Sequence, residues 1–392
     1  FIAAGCAGGV AAMFNAPIAG VFFAAEIVLL GTYEIGSFAA LVVSSAMATV
    51  VSRGYYGGSP AFPLPAYEMV SSLVEIPLYS LMGVIIGLVA VLHIHVFYTI
   101  RDRFTALGLH PQLKPLVGAL ALGLLAMGFP QIMGDGYQYM EKVLAGHGVL
   151  WVMVALIFCK IAATAITLGS GGAGGVFAPA LFIGAVTGGA FGSVAHALLP
   201  QQTANPGAYA AVGIGAFLAA ATHAPLTAIF LLFEMTGNYL IIVPIMLSSI
   251  IGTVVAARLN PDSIDTVDFS REGIDLHEGR EVSVMKSIKV GRVISEDVDF
   301  ISEQANVDQL LTIFSMAKDS FYFPVVDESG RMTGVVSLQD VKSILHDEEL
   351  RLSARVGNIC TRKVVVLTPE DNLHTAMALF DAKGLEEIPV VE

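Results

Sequence analysis

Apolar stretches dominate the first 258 residues of this 392-residue chain, falling at about 1–13, 16–31, 35–51, 73–100, 114–129, 149–168, 178–198, 208–221, 224–235 and 239–257. Glycine, proline or charge separates them. A helix needs roughly 20 apolar residues to cross the hydrocarbon core of a bilayer, and several of these stretches are shorter. Backbone polar groups must be satisfied inside lipid, so short helices joined by Ala-Pro or Gly-rich breaks are expected where half-helices meet near the membrane centre and line a site. The whole chain is 55% hydrophobic and 14% charged, unlike a soluble domain. The pattern predicts an all-α polytopic membrane domain built on broken helices.

An internal repeat supports a permeation pathway. AAMFNAPIAGVFFAAE, ending at Glu26, matches AAATHAPLTAIFLLFE, ending at Glu234, at an offset of 208. Gly5/Gly213, Ala16/Ala224, Pro17/Pro225, Phe22/Phe230 and Glu26/Glu234 coincide. A shared Ala-Pro break followed nine residues later by glutamate predicts two homologous halves, as in transporter folds with inverted repeats.

Residues 169–179 read GSGGAGGVFAP and run into the apolar stretch 178–198. Glycines let the chain bend tightly, so that orphan N–H groups at the start of the following helix converge, and the helix dipole favours a negative ion there. The same glycines also suit a tight-packing turn without a ligand.

Charge is unevenly distributed. Residues 1–258 hold 7 basic and 8 acidic side chains, leaving 13 basic and 25 acidic ones after them. The acidity belongs to a soluble C-terminal part and argues against nonspecific binding to nucleic acid or anionic lipid surfaces. After a polar linker from Asn260 to about Glu281, FYFPVVDESGRMTGVVSLQDV reads as strand, turn, strand and helix start. A second copy from Val356 repeats the order, with a strand at Val364–Leu367, a helix at Asn372–Lys383 and Pro389 lying 65 residues after Pro324. Cys6, Cys159 and Cys360 show no CxxC spacing, so neither a disulfide framework nor a zinc site is expected.

With FNAPIAG at 14–20, HAPLTAIFLLFEMTGNY at 223–239 and NPDSIDTV at 260–267, the chain resembles the CLC family of chloride channels and chloride/proton exchangers that carry paired CBS domains. The resemblance implies an inverted-repeat transmembrane anion-transport domain over 1–258, a membrane-proximal segment and linker over 259–283, and an α/β CBS pair at 284–347 and 356–392. It implies chloride or another small anion as the transported ligand, a homodimer in the lipid bilayer of a bacterial inner or plasma membrane, and cytoplasmic CBS domains. Backbone amides around Val176, Phe177 and Ala178 would hold the anion, with Gly175 and Pro179 shaping the turn. The family's serine motif and gating glutamate are expected upstream of Phe1, where the repeat also places the missing counterpart of Phe177, and the chain reads as truncated at its start and inside the second CBS copy.

Two positions depart from the family pattern. Asp265 stands where relatives carry a tyrosine that donates to the central anion; an ionised carboxylate there would repel it, unless its pKa is raised, it points elsewhere, or the inner gate is open. Ile27 stands where many exchangers carry a proton-passing glutamate, which leaves both a channel and an exchanger open. Gly334, Ser337 and Asp340 have the Gly-x-x-Ser-x-x-Asp spacing that binds the ribose of an adenine nucleotide in CBS domains generally. No cofactor is otherwise required, and no nucleic-acid partner is expected.

Other candidates read less sharply. Glu26 and Glu234 are symmetric, which suggests structural caps rather than proton carriers. His93 and His95 point to different faces of one helix and make a poor metal pair. Lys114, Lys142 and Lys160 either snorkel to an interface or draw anions toward a vestibule. A CBS-linked magnesium transporter would want carboxylates in its pore, and an intramembrane protease would want HExxH, whereas His277-Glu278 is followed by Glu281. No catalytic set is expected.

Overall fold

The computed structural model describes residues 1–31, 35–58, 72–272, 285–286, 288–295, 298–316, 322–342, 344, 349 and 353–391. The chain divides into two units, Phe1–Ser270 and Arg271–Glu392. The first is helical: α1 (Ile2–Phe14), α2 (Pro17–Phe23), α3 (Ile35–Tyr56), α4 (Ser72–Ala106), α5 (Lys114–Gly128) and α6 (Tyr137–Leu144) lead to α7 (Leu150–Gly169) and α8 (Phe177–Leu198). Then come α9 (Pro206–Thr222), α10 (Pro225–Thr236), α11 (Ile242–Leu259) and the short α12 (Val267–Arg271). Among the described residues, six segments are long and apolar enough to cross a membrane: Gly36–Tyr56, Leu73–Ala106, Pro111–Gly128, Leu150–Gly169, Phe177–Leu198 and Tyr239–Leu259.

The repeat is visible atom by atom. Asn15 ends α1 and His223 ends α9, each in the left-handed region with φ of 56° and 55°, and each is followed by an Ala-Pro step that opens the next helix. Proline fits the first helical position because its missing N–H has no partner there anyway. The Glu234 carboxylate near the C-terminus of α10 accepts from the N–H groups of Ile18 and Ala19 at 3.0 and 2.8 Å. Reciprocally, Glu26 accepts from Leu226 N at 3.1 Å, Thr227 N at 2.6 Å and Thr227 Oγ1 at 2.7 Å. The end of each half-helix region therefore caps the start of the other, so α2 and α10 run antiparallel, as an inverted repeat requires. Phe22 and Phe230 stack between them at 4.7 Å. The symmetric glutamates are caps, as their placement suggested.

α8 and α9 form the centre of this unit and bury most of their length. A Cβ on Gly184 would lie 2.5 Å from the Gly213 carbonyl oxygen, and one on Gly188 would lie 2.2 Å from that of Tyr209. Small residues at this seam let two backbones touch, the packing that drives association where lipid offers no hydrophobic gain. The first part of the expected polar linker is packed rather than free: Ser263 and Ile264 are buried, Ile264 N donates to Ala221 O at 2.9 Å, and Tyr98 donates its hydroxyl to Ile264 O at 2.9 Å. Residues 273–284 of the linker, with the His277-Glu278 pair, lie outside the described residues.

In the second unit a three-stranded sheet has the order β1 (Ile301–Ser302), β2 (Tyr322–Val326), β3 (Met332–Ser337), the first pair parallel and the second antiparallel. α13 (Val307–Met316) covers it, with Leu310, Phe323, Val325 and Val336 in the core. α14 (Leu338–Val341) follows β3, and α15 (Val356–Ile359) opens the second copy. There, α16 (Leu373–Lys383) matches the expected helix, while the strand expected at 364–367 is reduced to one parallel bridge between Leu367 and Val390.

Candidate anion site

α7 ends at Gly169, Gly171 turns the chain with φ of 87°, and α8 starts at Phe177 after a short turn. Val176 occupies the N-cap position and offers no side-chain acceptor. The first-turn N–H groups of Phe177 and Ala178 therefore have no intrahelical partner, while Pro179, third in the helix, has no donor to leave orphaned. The local sequence leaves two backbone donors at the positive end of a 22-residue helix.

These groups face a cavity of about 640 Å³. Gly174, Gly175, Phe177, Ala178 and Pro179 form one wall. Phe177 leans on the first half of the repeat, with ring centroids 5.3 Å from Phe14 and 5.9 Å from Phe23. Lys160, Thr164 and Thr167 line another wall along α7, and Asp135 also contributes.

Four of the five expected turn residues thus line one cavity. Val176 does not; it packs with Ile94, Phe97, Tyr98, Ala165 and Ile264. Asp265 lies outside the cavity lining, in the turn that precedes α12, where its N–H donates to Ser263 Oγ at 3.3 Å and its Oδ2 is buried without a hydrogen-bond partner. Burial pushes its carboxyl from the ordinary 3.8 to about 6. Ile264 and Val176 share one apolar cluster, so the Asp265 turn and the glycine turn are linked through packing. Ile27 sits within a wide helical turn over Ala24–Val28, beside the capping Glu26.

Sequence reasoning undervalued Lys160. Rather than snorkelling, its side chain is buried, and its Nζ donates to the carbonyls of Ile132 and Gly134 at 2.9 and 2.8 Å. The available signal was its spacing with Thr164 and Thr167, one face of an otherwise apolar helix. Lys114, by contrast, is an exposed contact to Thr105 O at 3.1 Å. Sequence reasoning also missed the bidentate ion pair of Arg101 with Asp268, which ties the end of α4 to α12; one of its two bonds measures 2.8 Å.

In the C-terminal unit, Gly334 lies in β3, where a Cβ would approach Thr361 O to 2.7 Å, and its absence permits the bridge between Val335 and Thr361. Ser337 and Asp340 form a capping box at the start of α14: Asp340 Oδ2 accepts from Ser337 N and Oγ, both at 2.8 Å. The structure brings Ser337 and Asp340 together, with Asp340 Oδ2 committed to the local fold, while Gly334 lies three residues before Ser337 on the same strand.

Residues 1–257 match the family model for the voltage gated chloride channel, and residues 290–347 and 356–392 match the CBS domain. A putative chloride channel protein ClcB-like of Ralstonia nicotianae is 38% identical over 264 residues, covering 67% of this chain and 61% of its own. The H(+)/Cl(-) exchange transporter ClcA of Vibrio parahaemolyticus is 35% identical, over 66% of this chain and 56% of its own length. Chloride channel protein CLC-f of Arabidopsis thaliana is 28% identical over all of this chain and 58% of its own. The chain thus spans between 56% and 61% of the length of these relatives. Among solved structures, a slow cyanobacterial Cl-/H+ antiporter superposes with a TM-score of 0.59 at 29% identity, covering 70% of this chain and 65% of that one. A eukaryotic CLC transporter gives 0.58 at 21% identity over all of this chain and 67% of that one, a likeness of fold.

Proposed function

The chain belongs to the voltage gated chloride channel (CLC) family and carries CBS domains, and from that premise we propose that it moves chloride, or another small monovalent anion, across a bilayer. The observation that carries this reading is the uncapped N-terminus of α8, opening onto the 640 Å³ cavity beside the antiparallel repeat. Backbone donors suit an anion, because they bring partial positive charge and release the ion without proton transfer. We assign the anion to the amides of Val176, Phe177 and Ala178, with Gly175 and Pro179 shaping the turn. Asp265, whose neighbour Ile264 shares an apolar cluster with Val176, is assigned as a group whose charge tunes the path. The cation-transporter and protease readings find no support in the relatives described above.

The transport domain is assigned to 1–258, the linker to 259–283 and the CBS units to 284–347 and 356–392. A homodimer, a bacterial inner or plasma membrane, and cytoplasmic CBS domains that modulate gating complete the reading. Adenine nucleotide is the proposed effector there, since among the described residues Asp340 accepts through Oδ2 alone, which leaves Oδ1 for a ribose hydroxyl. Ile27 offers no titratable group on the usual proton route.

The test is chloride-loaded liposomes containing the protein under a potassium/valinomycin clamp, with chloride efflux and external pH recorded together. Efflux is expected. Stoichiometric proton movement identifies an exchanger whose route bypasses Ile27, and efflux without protons identifies a channel. No efflux of chloride, bromide, nitrate or fluoride overturns the reading.

A further inference from the structure

α4 and α5 meet in a tight elbow. Two of the apolar spans, Leu73–Ala106 and Pro111–Gly128, are separated by residues 107–110 alone. Four residues reach at most about 14 Å, so the connection stays at the bilayer boundary rather than extending far into water. Its surroundings are basic. Residues 103–134 hold Arg103, His110 and Lys114 and no acidic side chain. The acidity that argues against anionic surfaces lies elsewhere, mostly after residue 258.

Two of these cations share one helix end. Arg103 sits in the last turn of α4, and Lys114, the first residue of α5, donates from Nζ to the carbonyl of Thr105 in that same turn at 3.1 Å. Carbonyls at a helix C-terminus carry partial negative charge, which favours both cations there. Donors are left over: an ammonium has three N–H groups and one is directed at Thr105, while among the described residues the exposed Arg103 guanidinium makes no ion pair or hydrogen bond. Arg101 differs, because Asp268 takes its guanidinium and the charge of Asp102 acts on it as well. Exposed Leu107, Leu109 and Leu113 lie along the elbow. Cations beside exposed leucines at a bilayer edge match the two parts of a phospholipid, a charged head and apolar chains.

We propose that the α4–α5 elbow binds the headgroup phosphate of an anionic phospholipid through Arg103 and Lys114, with the acyl chains against the exposed leucines. A guanidinium offers phosphate two parallel donors, and an ammonium adds a point charge. α4 and α11 run parallel, since a Cβ on Gly83 would meet Ser248 and one on Gly87 would meet Gly252. The elbow therefore belongs to the side of the bilayer on which α11 ends. Under the function proposed above that side is cytoplasmic, where anionic lipid is enriched. Pro115, next to Lys114, packs on the glycine turn: a Cβ on Gly171 would lie 3.9 Å from its ring, and Gly118 one turn on faces Ser170. Lipid held at the elbow thus acts beside the turn to which the anion is assigned, a consequence that rests on the anion-transport reading, whereas the lipid site itself does not.

The test is titration of the purified protein in a neutral detergent with dioleoylphosphatidylglycerol, reading bound lipid by native mass spectrometry and stability by thermal melting. Dioleoylphosphatidylcholine and inorganic phosphate are titrated in parallel. Phosphatidylglycerol is expected to bind more tightly than either and to raise the melting temperature. Arg103→Gln and Lys114→Gln should each weaken that binding about fivefold. Arg258→Gln, which removes an exposed cation at the end of α11, should leave it unchanged. Equal binding of the two lipids, or unchanged affinity in both elbow variants, overturns the proposal. Equal weakening in Arg258→Gln overturns it too, because attraction would then be diffuse, and inorganic phosphate binding as tightly as the lipid would assign the pair to a free anion instead. Binding is read without transport, so absence of chloride flux in wild type removes the proposed function and leaves this result standing. Should an elbow variant fail to fold, the wild-type preference for phosphatidylglycerol over phosphatidylcholine and phosphate still decides.

Discussion

Asp265 shows how one side chain converts position into pH dependence. Burial raises its carboxyl to about 6, so the native state holds this proton more tightly than the unfolded chain does. Below the ordinary 3.8 both states are protonated and the group costs nothing. As pH rises toward 6 the unfolded chain ionises first, and stability falls by up to about 3 kcal/mol before levelling off. Wild type should therefore melt at a lower temperature at pH 7.5 than at pH 4.5, and Asp265→Asn should lose that part of the slope. Parallel pH slopes in the two proteins would show that the carboxyl is better solvated than its burial indicates. The sequence marked Asp265 as an oddity, through its departure from a family pattern. It could not indicate that Oδ2 would be enclosed without a partner, because that depends on where α4 and α9 meet the turn.

The broken elements depend on one another. Each helix start in the α2/α10 pair is capped by a glutamate from the opposite half, and a carboxylate accepting two backbone N–H groups satisfies donors that lipid cannot. Glu26→Gln and Glu234→Gln should each cost about 1–3 kcal/mol, since an amide presents a single acceptor oxygen. The double variant should cost less than the sum, because both caps hold one helix pair. Thermal melting in detergent checks this, and chloride flux in the surviving fraction should persist; unaltered melting in either variant would remove the capping account. The end of α4 offers a second case. Arg101 pairs with Asp268 and lies 4.7 Å over the Tyr98 ring, and Tyr98 holds Ile264. With side chains 32% and 49% exposed, the pair should contribute less than about 1 kcal/mol. Asp268→Ala should therefore leave the melting temperature nearly unchanged while hastening amide exchange in 264–271, and unchanged exchange there would show that packing alone anchors the segment. The repeat was legible because Ala-Pro and glutamate recur at fixed spacing. The Arg101 clasp was not, since nothing local links two residues 167 positions apart.

At the scale of the molecule, charge distribution and periodicity mark an apolar N-terminal part ending at 258 and an acidic part after it, while the compact units divide at Ser270, twelve residues later. The glycine turn was legible because its glycines and proline each exclude other backbone choices. The cavity was not, because its walls come from α1, α2, α5, α7, α8 and the loop around Gly134. The packed start of the linker was likewise hidden, since polar composition does not distinguish a tether from a turn seated under Tyr98. The reciprocal caps also bear on how the protein is made. α2 leaves the ribosome with its first N–H groups unsatisfied, and their acceptor, Glu234, lies 216 residues beyond Ile18. At 5–20 residues per second, roughly 10 to 40 s pass before that acceptor exists. Through that interval the half-finished membrane domain exposes unmatched polar backbone, so the insertion machinery or bound water must shelter it until its mirror image arrives.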